Sequence, residues 1–431
     1  MRHTAARSNL LLLFLLSVAG AVPAAAAPEP TGRDAAIAWF DGLVGVVRDS
    51  RLSPVVAARV YGYASVAFYE ALVPWSPDLL SLSGQLTELG PLPQPSGSLR
   101  YDPPTAAVAA AAAVARGMLG PAGQAAVDEL EQQIATSRYY RPGMTQAAVD
   151  RSIEHGRAVG ADVLAWSSTD GYGLLARCPF TPPSGPGLWV PTAPAFASAL
   201  EPCWGWLRPM VLDTGATCQV RPPPPYSEAP GSTFYAEGRE VYDTSRSLTE
   251  EQRTIALFWA DNPGQTGTPS GHWVRIVGQV SAPLGLDIYR TAEAYARTGI
   301  AVNDAFISCW YTKFVYHLVR PITYVRKLFD PGWTTIVPTP PFAEYTSGHS
   351  TQSGASAAIL SDMLGIVAFT DTTHLEIGLA PRSFPSFELA AREAAISRLY
   401  GGIHYRAAIE IGVEQGQCVA ANVLARVRFR R

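Results

Sequence analysis

Residues 178–231 hold 13 prolines in 54 positions, four of them consecutive at 222–225. Proline fixes φ and lacks an N–H, so this density forbids long helices and central strands there. Whatever the chain folds into must carry a long irregular segment between two regular halves. Trp189, Phe196, Trp204 and Trp206 fall within it and make it too apolar for a free linker. The segment therefore reads as an ordered loop wrapped over a larger body. A flexible interdomain linker is the alternative.

The flanks are helical in pattern. Ile37, Phe40, Leu43, Val44 and Val47 recur at steps of three and four. Ser53-Pro54 has the form of a helix start, with serine as cap and proline in the first turn. Further helices are expected over 106–118, 127–134 and 147–166. Beyond the proline run, helices should resume with the capping-box pattern at 247–250. They should continue near 249–260, 271–282, 287–327, 350–366, 386–399 and 406–427, the fourth-last of these breaking near Gly299. No alternating strand pattern or repeat recurs. The expected class is all-α, a helical bundle with an additional N-terminal helical layer. The expected divisions are 1–27, 28–177, 178–231 and 232–431.

Residues 1–27 resemble a secretory signal. Arg2 and Arg7 form a positive start, residues 10–19 an apolar stretch, and 24–27 a small-residue cleavage zone. A membrane anchor is the other reading, but the apolar run is short of the roughly 20 residues a spanning helix needs. An exported protein, periplasmic or secreted, with no membrane span after processing, is expected. Export permits disulfides, and one bridge among Cys178, Cys203 and Cys218 is plausible. With five cysteines in all, at least one thiol stays outside any pair within the chain. The net charge of −3 argues against a nucleic-acid partner, so any anion site must be local.

Three segments carry candidate chemistry. In the first, Lys313 and Arg320 fall on one helical face, two turns apart; Lys313 is one of only two lysines in the chain. Arginine offers planar paired donors and lysine a point charge to an oxyanion. In the second, Ser347-Gly348-His349 opens a small-residue helix, whose N-terminus offers free N–H groups. In the third, Arg398 ends a helix, Gly401 and Gly402 turn the chain, and His404 opens the next. Each segment alone could be capping, packing or a solvated face. Together they suit an oxyanion with several equatorial oxygens and one axial histidine. Asp261 and His272 read as partners of Arg398 or as local caps, His317 as a core residue, and His155 and His374 as surface residues.

The joint pattern Lys-x6-Arg-Pro, Ser-Gly-His, Ser-Arg-x5-His resembles the superfamily of type 2 phosphatidic acid phosphatases and vanadium-dependent haloperoxidases. It spans about residues 300–410. Phe258-Trp259-Ala260-Asp261, Pro269-Ser-Gly-His272-Trp273 and residues 338–342 are similar to the exported bacterial haloperoxidase-like branch. The resemblance implies vanadate as cofactor, with phosphate as a competing occupant. Lys313, Arg320, Ser347, Gly348 and Arg398 would bind its equatorial oxygens. His404 would be the axial ligand to vanadium and His349 the acid–base residue. Lys313 would also polarise peroxide, and Trp310 and Phe342 would lie on the halide side. The implied partners are hydrogen peroxide, a halide and a small organic acceptor. A phosphatase would instead take a phosphomonoester and use His404 as nucleophile; a non-catalytic anion-binding protein is the third reading. Two departures stand out: Thr346 replaces the usual proline, and Ala408 replaces the aspartate that usually orients the last histidine. Glu410 is the substitute the sequence offers.

Overall fold

The computed structural model describes Met1 and residues 32–136 and 143–431. Apart from Met1, the expected signal segment lies outside the described residues. The first helices are α1 (Gly32–Asp49), α2 (Pro54–Glu70), α3 (Pro103–Met118), α4 (Pro121–Thr136) and α5 (Gln146–Ser167). After the proline-rich segment come α6 (Thr233–Arg246), α7 (Glu250–Phe258), α8 (Thr268–Ser281), α9 (Ile288–Tyr316), α10 (Pro321–Leu328), α11 (Gly348–Leu364), α12 (Phe387–Tyr400) and α13 (Arg406–Arg426). A small antiparallel hairpin, β1 (Phe369–Asp371) with β2 (Arg382–Phe384), pairs Phe369 opposite Phe384. The all-α class holds. Among the described residues, no helix is long and apolar enough to cross a membrane.

Helix α2 starts as its sequence dictates: the Ser53 hydroxyl accepts from Val56 N at 3.4 Å, and Pro54 occupies the first turn. Nearly every residue from Val55 to Glu70 is buried. A helix covered on all sides must be central, and α2 packs on α9, α3 and α8. Where it meets α9, a Cβ on Gly299 would lie 2.2 Å from Ser65 Oγ. Gly299 thus serves helix contact, and α9 runs through it unbroken. The break expected there falls instead at 317–320. His317 adopts the left-handed conformation (φ 48°) and its N–H closes on Lys313 O at 2.8 Å. Arg320 is extended before Pro321, as pre-proline sterics require. Lys313 and Arg320 therefore stand on separate elements, and the shared helical face does not exist.

Helix α6 was not expected. Its buried Phe234, Gly238, Val241 and Tyr242 follow helical spacing, and Ser232 caps Tyr235 N at 3.2 Å. The pattern is short and sits against the proline run, which masked it. The capping box is formed by Thr249 with Gln252, while Ser247 ends α6.

The proline-rich segment is an ordered strap. Trp189 N donates to His317 O at 2.6 Å and Val319 N to Gly187 O at 2.9 Å, so it clamps the α9–α10 junction. Trp189 and Trp204 are buried, but Phe196 and Trp206 are 66% and 76% exposed and pack nothing into the core. Disulfides join Cys178 to Cys203 and Cys218 to Cys418, the second tying the strap to α13, and Cys309 is a buried free thiol. His155, expected at the surface, is buried against Trp75 and Tyr101.

Candidate active site

The three sequence segments converge. A cavity of about 350 Å³ is lined by Gly348, His349, Arg398 and His404, with Trp310 and Phe342 on one wall. Lys313, Arg320 and Ser347 are fully buried beside these residues.

Arg320 is held by carbonyls. Its Nε donates to Phe342 O at 2.7 Å, and its Nη1 to Ile403 O at 2.9 Å and to His404 Nε2 at 3.2 Å. Arg398 Nη1 donates to Trp259 O at 2.6 Å, while its Nε is buried without a partner. Burial lowers both guanidinium pKa values to about 10, against the pull of Glu344 on Arg320 and of Asp261 on Arg398. Burial likewise lowers Lys313 to about 8. Lys313 departs from its expected geometry. Its ammonium faces Ala343 O at 3.2 Å and Glu344 O at 2.9 Å, and also Thr346 O. An ammonium has three N–H donors, so all three are engaged by backbone. Lys313 staples residues 343–346 to α9 and contributes charge to the site.

Ser347 is the N-cap of α11, its hydroxyl accepting from Ser350 N at 3.3 Å. A Cβ on Gly348 would meet the Phe306 ring at 3.3 Å and the Trp310 ring at 3.6 Å. The glycine lets backbone and aromatic wall close together. His349 Nε2 is buried without a partner, and its ring also bonds the Trp259 backbone. Burial, then the nearby Arg398, holds its pKa well below 6.5.

His404 lies in the turn before α13 rather than in the helix, and its orienting carboxylate is Glu344. Glu344 Oε1 is 2.8 Å from His404 Nδ1 and accepts from Tyr405 N at 2.9 Å. Because Arg320 can only donate, its contact makes Nε2 the acceptor, which puts the imidazole proton on Nδ1, toward Glu344, and keeps the Nε2 lone pair on the side of Arg320 and the cavity. Burial, then Arg320, Lys313 and Arg398, holds His404 well below its ordinary pKa, which keeps it neutral. Burial pushes Glu344 up to about 8, with Arg320 opposing. Glu410, the substitute offered by sequence, pairs instead with Arg406 at 3.5 Å. Ala408 is buried and its carbonyl accepts from Ser347 N at 3.0 Å. The sequence did carry a sign of Glu344: it is the only acidic residue between Asp330 and Asp362.

Phe342 and Trp310 stand 4.8 Å apart, and Arg320 Cζ lies 4.8 Å from the Phe342 centroid. His317 stacks on Phe180 at the α9 terminus and does not line the cavity.

Behind Arg398 lies a buried cluster of Asp261, His272 and His374, whose ligand-type atoms lie within 4.8 Å of one another. His374, expected at the surface, is buried, with Nε2 3.1 Å from Asp261 Oδ1. His272 Nδ1 is 2.9 Å from Asp261 Oδ2 and its Nε2 is 2.6 Å from Asp371 Oδ2. With carboxylates at both nitrogens, His272 has no free lone pair for a cation. Asp261 also lines the cavity.

Residues 293–430 match the family described as the VCPO second helical-bundle domain. Over 129 residues the chain is 30% identical to the vanadium chloroperoxidase of Curvularia inaequalis, a match spanning 24% of this chain and 21% of that protein. A bacterial vanadium-dependent chloroperoxidase crystallised in its apo form shares the fold at 15% identity, with a TM-score of 0.68 over 87% of this chain and 95% of its own. The crystal structure reported as the first bacterial vanadium-dependent iodoperoxidase superposes with a TM-score of 0.87 at 36% identity, covering 92% of this chain and 97% of that one. With fold, length and sequence matched together to that degree, the chain belongs to the vanadium-dependent haloperoxidase family and is an oxidoreductase of that type.

Proposed function

We propose that the protein binds vanadate in the Arg320–Arg398–His404 pocket and uses hydrogen peroxide to oxidise a halide. The observation that supports this most is the charge imbalance at the pocket. Lys313, Arg320 and Arg398 converge, buried, on a neutral imidazole, with one carboxylate behind it. Arg398 Nε and His349 Nε2 are buried donor or acceptor atoms without protein partners. That set fits an oxyanion. Bound vanadate would supply Lewis-acid activation of peroxide without changing its oxidation state.

The chain's own residues divide the remaining work. Arg320 and Arg398 hold oxyanion oxygens, and the Gly348 N–H, at the first turn of α11, adds a backbone donor. His404 would hold the group through Nε2, with Glu344 fixing the ring through Nδ1. His349, held neutral, accepts a proton at Nε2 and returns it. Lys313 adds positive charge from behind the 343–346 backbone, which favours negative charge developing in the pocket. Trp310 and Phe342 exclude water on the side where halide would approach. Iodide is the halide to test first, since the 36% identical structure is an iodoperoxidase. The product is a hypohalous species acting on a small organic acceptor.

The test uses purified protein with and without orthovanadate. It measures peroxide-dependent oxidation of iodide and bromide and hydrolysis of p-nitrophenyl phosphate. Halide oxidation that requires vanadate is expected. Phosphate release inhibited by vanadate would select a phosphomonoesterase. Anion binding with neither reaction would leave only a binding protein.

A further inference from the structure

His272 has two carboxylates and one ring. A neutral imidazole carries a single N–H. With Asp261 Oδ2 at 2.9 Å and Asp371 Oδ2 at 2.6 Å, one contact of a neutral ring would set lone pair against lone pair. An imidazolium satisfies both. The Trp259 indole stacks on the ring at 4.3 Å and 15°, the arrangement a buried cation favours. Phe258 and His374 close its edges, at 5.5 Å and 4.7 Å. Burial pulls the His272 pKa down, but Asp261 and Asp371 outweigh it and hold it at about 10.

The stacked tryptophan links this core cation to the active site. Its Nε1 donates to Glu393 Oε1 at 3.0 Å, which fixes the far edge of the indole. Its carbonyl accepts from Arg398 at 2.6 Å, and His349 bonds the same residue's backbone. Asp261, the other partner of His272, lines the cavity beside Arg398 and His349. Asp371, on β1, is itself held by Thr373 N at 2.9 Å.

We propose that His272 is a positioning residue of the anion site: an imidazolium clamped between Asp261 and Asp371, it fixes Trp259 and Asp261, and through them the orientation of Arg398 and His349. The inference rests on the proposed anion pocket but not on peroxide or halide chemistry. Wild type that binds orthovanadate yet oxidises no halide would defeat the functional reading and leave this one standing.

The test is Asp371→Asn, which keeps the shape and removes one of the two charges that hold the imidazolium. Orthovanadate and inorganic phosphate are titrated into the unloaded full-length protein by calorimetry. Binding about 10-fold or more weaker than wild type is expected, the scale seen when partners behind a ligand are lost. Asp371→Glu should restore most of it. Side-chain ¹⁵N spectra at neutral pH should show both His272 nitrogens protonated in wild type and one in Asp371→Asn. Unchanged anion affinity in a variant that only melts earlier would reduce the cluster to a structural role. One equivalent of a tightly bound metal other than vanadium in the purified protein, or a single protonated His272 nitrogen in wild type, would overturn the imidazolium.

Discussion

At the scale of single residues, the site turns on which carboxylate serves His404. Glu344 reaches Nδ1 from the segment before α11, while Glu410 sits exposed on α13 beside Arg406. Glu344→Gln should therefore weaken orthovanadate binding roughly 10–100-fold, and Glu410→Gln should leave it unchanged. Equilibrium titration of the two variants decides between them, and equal losses would refute the assignment. The histidines give a second expectation. His349 is held well below 6.5 by burial and Arg398. Its folded form resists protonation more than its unfolded form does, so the unfolded chain takes up more protons and stability falls as pH drops below about 6.5. His349→Gln removes that contribution. Thermal melts of the unloaded protein between pH 5 and 6.5 should show a shallower slope for the variant. Coincident slopes would mean that His349 is not kept neutral.

At the scale of elements, helices with caps and long apolar periods were legible, because local propensity and tertiary packing agree there. Ser53-Pro54 is such a case; the capping box read at 247–250 marked a helix start, but the box itself forms two residues later, between Thr249 and Gln252. Gly299 misled, since a glycine that serves a close approach to α2 looks in sequence like one that ends a helix. The Lys313–Arg320 spacing was right about convergence and wrong about its cause. The chain turns at His317, and a carbonyl-lined loop brings Arg320 back to the site. Glu344 and Asp371 were hidden for one reason: their partners are distant in sequence, 60 residues for Glu344–His404 and 99 for His272–Asp371. The same distance makes the strap's second disulfide consequential. Cys218–Cys418 closes 200 residues and Cys178–Cys203 closes 25. Loop entropy gives the longer closure about 2 kcal/mol more stabilisation. Replacing Cys218 and Cys418 by serine should lower Tm more than replacing Cys178 and Cys203. The reverse order would show that native packing, not chain closure, dominates at the strap.

At the scale of the whole molecule, the proposed anion pocket is the point where the C-terminal half is joined. Five of its walls come from the end of α9, the 338–342 segment, the first turn of α11, the last turn of α12 and the turn before α13, and Pro54, Leu200 and the α7–α8 loop close the rest. Three buried cations meet there, and each is lowered by burial from its ordinary pKa, so the unloaded fold carries an electrostatic cost at this junction. An oxyanion relieves that cost only in the folded chain, because the unfolded chain has no pocket. Linkage then stabilises the fold by about 2.7 kcal/mol at an anion concentration 100 times Kd. For a chain of this length that corresponds to a rise in Tm of about 3 °C. Scanning calorimetry of the full chain with orthovanadate or inorganic phosphate should show this rise. Arg398→Ala should abolish it, because Arg398 is the cation with a free buried donor at the cavity. A rise of equal size in the variant would place the stabilising anion somewhere other than this pocket, and the convergence of the five walls would then have to be explained by packing alone.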